Sequence, residues 1–127
     1  LPYEMHIQPV EPNGLPLDFK GLKASALPMR HSVPVNGWRF ERNGKVLAIS
    51  GDTKACDELV ALSQGADLLL TECSYPDPIA EVPHISRKEL LTLSERMTAG
   101  RILVVHSNRE FDTAPFEQPE DGDVVEV

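Results

Sequence analysis

Apolar and polar positions change period several times along the chain, and each change marks an element. Tyr3 to Ile7 alternates weakly, as a short strand does, and runs towards a Pro12-Asn13-Gly14 turn. Leu22 to Met29 alternates apolar and polar, which predicts another strand. Gly37 to Arg42 and Lys45 to Ser50 flank Asn43-Gly44, a strong hairpin signal because both turn residues tolerate positive φ. From Cys56 to Gln64, Leu59, Val60 and Leu62 fall at helical spacing. Asp57 and Glu58 stand in the first turn of that helix and Gly65 stops it. Ala66 to Thr71 reads as a strand of the buried kind.

Ser86 followed by Glu89 forms a capping box that opens a helix from Arg87 to Ala99. Leu90, Leu91, Leu93 and Met97 give it an apolar side, and Gly100 ends it. Ile102 to Val105 is the next buried strand, and Val124 to Val127 reads as a last short edge strand after an Asp121-Gly122-Asp123 turn. Strands come first and a βαβαβ run follows, so the expected fold is α/β, a mixed sheet covered by helices, in a single domain over residues 1–127.

Composition narrows the function classes. The chain has 127 residues, 41% of them hydrophobic and 25% charged, an ordinary globular balance. Its formal charge of −8 argues against a generic electrostatic grip on nucleic acid, though a bound cation can locally reverse the sign a substrate feels. No apolar run is long enough to span a membrane. Cys56 and Cys73 make no disulfide framework and read as core or near-core thiols rather than a disulfide or ligand pair. This is compatible with a reducing compartment; the compartment stays open, with the cytoplasm preferred. The start at Leu1, without a signal-peptide pattern, suggests a fragment.

The candidate chemistry lies at strand ends. Asp52 follows the apolar run Leu47-Ala48-Ile49-Ser50-Gly51, while His31 and His106 each close another strand-like segment. Metal-competent side chains at the ends of separate strands can meet on one rim of a sheet. Asp52, on its glycine turn, suits a bridging carboxylate or, alternatively, a helix cap aided by Thr53. His31 reads as a ligand or as a satisfied loop histidine. His106 follows a buried strand and needs a partner whichever role it has. His84, in the loop before the capped helix, suits a proton donor or an exposed loop position. Glu72 ends the strand from Leu68 and suits either an orienting partner for His84 or a ligand, or a plain salt bridge. His6 has no such setting and reads as structural.

In order along the chain, His31-Ser32-Val33-Pro34, Gly37-Trp38-Arg39-Phe40, Ser50-Gly51-Asp52-Thr53, Ala66 to Cys73, His84-Ile85-Ser86 and Val105-His106-Ser107 resemble the metallo-β-lactamase superfamily. The likeness is to the C-terminal half of its ribonuclease Z-like and phosphodiesterase branch. The resemblance implies half of an αββα sandwich, with helices on one sheet face. It implies His31 as ligand to one metal, Asp52 as the bridge between two, and His106 as ligand to the other. It further implies His84, partnered by Glu72, as proton donor to the leaving group, and two divalent ions, zinc by family habit, in the full-length protein. The family's His-x-His-x-Asp-His motif is absent here. The chain alone is therefore expected to be inactive and metal-poor, since three ligands hold at most one metal weakly.

The expected function is metal-dependent hydrolysis of a phosphodiester by activated water. Only the Glu41-Arg42-Asn43-Gly44-Lys45 hairpin separates the His31 strand from Gly-Asp-Thr, where transfer-RNA-processing members often carry a long insertion. With the acidic charge, this favours a small phosphodiester or related ester over nucleic acid. The alternatives are a transfer-RNA 3′-end-processing endoribonuclease, a thioesterase or sulfatase-like activity, and a non-catalytic binding or assembly module. Half a sandwich leaves an apolar face uncovered, so self-association or pairing with the missing N-terminal half is expected.

Overall fold

The computed structural model describes residues 3–107 and 111–127. Its strands are β1 (Leu17–Phe19), β2 (Leu22–Pro28), β3 (Asn36–Arg42), β4 (Lys45–Ile49), β5 (Leu68–Glu72) and β6 (Arg101–Val105), and its helices are α1 (Asp57–Ser63) and α2 (Arg87–Ser94). All six strands form one sheet in sequence order. The first four pair antiparallel, whereas β4, β5 and β6 run parallel.

This mixed topology decides where the chemistry goes. Two reversals separate β2 from β4, so β2 points the same way as the three parallel strands. The chain therefore leaves β2, β4, β5 and β6 at one rim. The Asn43-Gly44 hairpin turns back at the opposite rim, with φ of +52° and +72° at its two residues. Parallel neighbours need crossovers, and α1 and α2 provide them.

Both helices pack on the same sheet face. Leu59 and Leu62 of α1 and Leu90 of α2 join Val46, Ala48, Leu69 and Val104 in one buried core. Strand alternation sends every second residue there. Gly37 is in β3 because a side chain at that position would collide with Leu62, 2.8 Å away, and with Met29. Arg39, two residues on, donates to the carbonyls of Leu62 and Gln64 at 3.1 and 2.8 Å and so finishes α1 with a cation. The capping box at Ser86 is formed in both directions.

The other face is aliphatic and aromatic and, among the described residues, carries no helix. Its cross-strand register places Trp38 against Ile49, Phe40 against Leu47, Leu47 against Leu68 and Leu70 against Leu103. Residues 118–127 cross one end of this face and enclose a cavity of about 570 Å³ over Leu47, Leu70 and Leu103. Towards β1, a second apolar hollow lined by Phe19, Leu22, Trp38 and Phe40 stays open.

Several boundaries differ from expectation. Residues 4–10 form no strand; they are exposed apart from a half-buried Val10, and lack the partner that a marginal alternation needs. Residues 123–127 are likewise irregular. The edge of β6 is met instead at Glu117, whose carbonyl accepts from the Val104 amide at 2.8 Å. β1 was not expected, because Leu17–Phe19 is too short to show a period. α2 stops at Ser94, after which Arg96 and Met97 make tighter bonds to Leu93 and Ser94. Both cysteines are free thiols, as expected. Among the described residues no helix is long and apolar enough to cross a membrane.

Candidate metal centre

Each strand leaving the common rim carries one functional side chain, and local bonds fix where each one goes. After β4, the Ser50 amide donates to the Leu70 carbonyl at 2.9 Å, and the chain then turns through Gly51 at φ +62°. The turn is tied to the end of β2, since the Lys54 amide donates to the Arg30 carbonyl at 2.7 Å and the Arg30 amide to Thr53 Oγ1 at 3.2 Å. These bonds bring His31 beside Asp52 although β3 lies between their strands.

Asp52 does not cap α1. The N-cap is Cys56, and no side chain accepts a cap bond there. The Asp52 carboxylate meets two histidines instead. His106 Nδ1 lies 2.9 Å from Oδ1, and His31 Nε2 lies 4.0 Å from Oδ2. His106 reaches this position with φ +50°, an uncommon conformation for a residue bearing a Cβ.

His31 Nε2 is buried and has no hydrogen-bond partner among the described residues. Ser32 Oγ lies 3.4 Å from its Nδ1, on the opposite side of the ring. A buried polar nitrogen left unpaired costs free energy of order 1–3 kcal/mol. A cation between His31 Nε2 and the Asp52 carboxylate would remove that cost, and imidazole with carboxylate is a donor set that suits zinc. The residues present therefore fit a divalent ion.

Glu72 is the buried partner of this rim, 1% exposed. Its carboxylate accepts from the Thr53 amide and from the Ser74 hydroxyl, the latter at 2.6 Å. His84 Nδ1 stands 3.0 Å from each of its oxygens. The β5–α2 loop is folded back to make this contact: the Ser74 amide donates to the Ile85 carbonyl at 3.0 Å, and Tyr75 bridges to Ser86. The His84 ring then stands edge-on to both other histidines, with centroids 5.1 Å from His31 and 5.6 Å from His106.

The structure thus brings together all five residues singled out in the sequence: His31, Asp52, Glu72, His84 and His106. It groups them more finely than expected. His31, Asp52 and His84 can each offer a ligand atom within 4.8 Å of the others, as can Glu72, His84 and His106. Exposed His6 stands 3.7 Å from Glu4 and belongs to neither group. Ser74 escaped sequence reasoning because a serine after a strand carries no distinctive signal. Cys73, beside it, is fully buried, and desolvation, aided by the charge of Glu72, pushes its thiol up to about 11. A cleft of about 260 Å³ opens over Ser74, Tyr75, His84, His106 and Ser107. The larger cavity beneath residues 118–127 touches the site through His106 alone of the five.

A mixed sheet with helices on one face and a histidine–carboxylate cluster at its strand ends is an architecture of the metallo-β-lactamase type. The sequence profile described as "Beta-lactamase superfamily domain" matches residues 3–107. The chain belongs to the metallo-β-lactamase superfamily, and its sequence is similar to proteins named ribonuclease Z.

It is 29% identical over 94 residues to a Caenorhabditis elegans protein named zinc phosphodiesterase ELAC protein 2 homolog, covering 71% of this chain and 11% of that protein. It is 33% identical over 78 residues to the ribonuclease Z of Myxococcus xanthus, covering 58% of this chain and 25% of that one. The fold matches human tRNase Z, short form, with a TM-score of 0.71 at 24% identity, over 87% of this chain and 45% of the other. The Bacillus subtilis fold protein YhfI gives a TM-score of 0.68 at 24% identity, over 76% and 41%. The chain thus spans less than half the length of these relatives.

The Gly51 turn sets the position of Asp52 and is open to direct test. A Cβ at Gly51 would sit 3.1 Å from Val35 Cγ1, on a backbone that disfavours any side chain. Gly51→Ala should destabilise the chain by about 1–2 kcal/mol, read as a lower midpoint in chemical denaturation. An unchanged midpoint would show that the turn does not need the left-handed conformation.

Proposed function

We propose that this chain contributes one half of a two-metal centre that hydrolyses phosphodiesters. In this reading His31 would hold one ion, His106 a second and Asp52 would serve both, while the remaining ligands would come from an N-terminal half outside these residues. The observation that carries it is a single carboxylate shared by histidines from two different strands, with the His84–Glu72 pair beside it. Bound divalent ions, zinc by the names of the relatives, would supply an activated water and a Lewis acid for the phosphoryl oxygens.

The chain's own residues do the rest. As an imidazolium, His84 carries a proton on each nitrogen. The Nδ1 proton is held by Glu72, which stabilises the charge and fixes the ring. The proton on Nε2 is then free to pass to the departing oxygen, leaving a neutral ring still held by Glu72. Tyr75 and Ser107, at the cleft, are placed to bound the leaving group.

The acidic chain and the short hairpin before Gly51 support a small diester or related ester as substrate. The ribonuclease names of the relatives support the second reading, processing of transfer RNA. Assembled with a half that carries the His-x-His-x-Asp-His motif, the protein should hydrolyse bis(p-nitrophenyl) phosphate. In that assembly His84→Ala should lower kcat by about 10²–10⁴. Full kcat in the variant would remove His84 from the reaction, and no hydrolysis by the assembly would overturn the functional reading.

The helix-free sheet face supports a proposal about partners. Trp38, Phe40, Leu47, Ile49 and Leu70 form an apolar surface of the kind that pairs with another sheet. We expect the chain alone to self-associate through it, and to exchange that contact for the N-terminal half when this is supplied. Sedimentation velocity at micromolar concentration should show a dimer or larger species; a clean monomer would contradict the proposal.

A further inference from the structure

We propose that Tyr75 is a specificity-determining residue: it offers its ring to a planar group on the departing side of the substrate, while the Ser107 hydroxyl donates a hydrogen bond to that group. This rests on the reading above, in which the cleft beside His84 receives the leaving group. It adds the class of that group, an aromatic ring bearing an acceptor, carried by a nucleoside or an aryl alcohol.

The cleft is small and chemically uneven. It is lined by Ser74, Tyr75, His84, His106 and Ser107, and its volume is about 260 Å³. Pockets for drug-sized ligands run from about 300 to 1,000 Å³. This one therefore has room for a single ring system and not for a run of stacked nucleotides. Two of its lining residues are imidazoles already engaged, His84 by Glu72 and His106 by Asp52. Tyr75 brings the remaining ring.

Local bonds hold Tyr75 where a platform has to be. Its carbonyl accepts from the Arg87 amide at 2.7 Å, and it bridges to Ser86. The Ser74 amide before it donates to the Ile85 carbonyl at 3.0 Å, and the Pro76 carbonyl after it accepts from the Lys88 amide at 3.3 Å. Three consecutive residues are thus laced to the stretch that follows His84, which fixes the root of the Tyr75 ring relative to the imidazole. Phe111 and Phe116 pack against the apolar core, whereas half-buried Tyr75 lines the cleft. An aromatic ring placed in this way attracts a planar one, and removing such a ring commonly weakens the hold on a base about tenfold.

The two serines differ in what they can give. Ser74 Oγ gives its proton to Glu72 Oε2 at 2.6 Å, with the His106 carbonyl 3.3 Å away as a second acceptor. Ser107 Oγ instead accepts from Gln118 Nε2 and keeps its own proton to donate. A ring nitrogen, a carbonyl or a nitro oxygen on the bound group can take it. Stacking and this bond together would hold the departing oxygen beside His84 before any proton moves, which is how binding away from the reacting atoms helps a reaction.

Proton NMR of the chain tests this without any hydrolysis, with adenosine and p-nitrophenol as probes and ribose as the control. At least one of the two ring-bearing probes should shift the Tyr75 ring protons upfield, and ribose should leave them in place. A shift with adenosine alone supports the proposal and identifies a nucleobase; a shift with p-nitrophenol alone supports it and identifies an aryl group. Tyr75→Ala should weaken binding of the active probe about tenfold, Tyr75→Phe should retain it, and Ser107→Ala should weaken it about fivefold. Unchanged affinity in Tyr75→Ala would overturn the inference, as would shifts confined to Trp38 and Phe40 in the open hollow of the sheet. Binding at Tyr75 with no hydrolysis by the assembly would support the ring subsite and overturn only the phosphodiester reading. Hydrolysis without binding at Tyr75 would overturn the subsite and leave that reading standing.

Discussion

The rim of this sheet depends on one buried carboxylate. Glu72 ends β5 with almost no exposure, and an ionised group there is tolerable only if its oxygens are filled by donors. The donors come from three places: the Thr53 amide after β4, the Ser74 hydroxyl after β5, and His84 from the loop before α2. Satisfying Glu72 therefore sets the Gly-Asp-Thr turn and the His84 loop at the same time. Asp52, one residue before Thr53, is carried into place by the bond that Thr53 makes. Loss of the carboxylate would release the turn and the loop together, so its role extends beyond orienting one histidine.

The topology makes that local arrangement useful. Because β2 points the same way as the parallel strands, His31 emerges beside Asp52 without any long connection. The helices and the core they bury support these strand ends from one sheet face. The strand ends thus carry a histidine–carboxylate cluster on one common scaffold. The sheet face away from the two described helices carries aromatic and aliphatic residues in register from Trp38 to Leu103.

Much of this is legible in the sequence, and the reasons differ by element. The hairpin at Asn43-Gly44 and the capping box at Ser86 are local devices in which residue type dictates backbone form, and both formed as expected. The buried strands showed as apolar runs, and their ends marked His31, Asp52, Glu72 and His106. Tyr3 to Ile7 and Val124 to Val127 misled because weak alternation without a pairing partner does not make a strand. The grouping of His84 with His31 and Asp52 was not legible at all. It depends on a loop folded back through Ile85 and Tyr75, a tertiary contact with no sequence period.

The central claim is that His31 and Asp52 are held ready for a cation by the turn that Glu72 anchors. Anomalous diffraction at the zinc absorption edge, from crystals of the chain grown with zinc, tests it most directly. The account predicts a peak bounded by His31 Nε2 and the Asp52 carboxylate, with Glu72 still bonded to Thr53 and His84. Peaks confined to other carboxylates, with His31 and Asp52 empty, would contradict it.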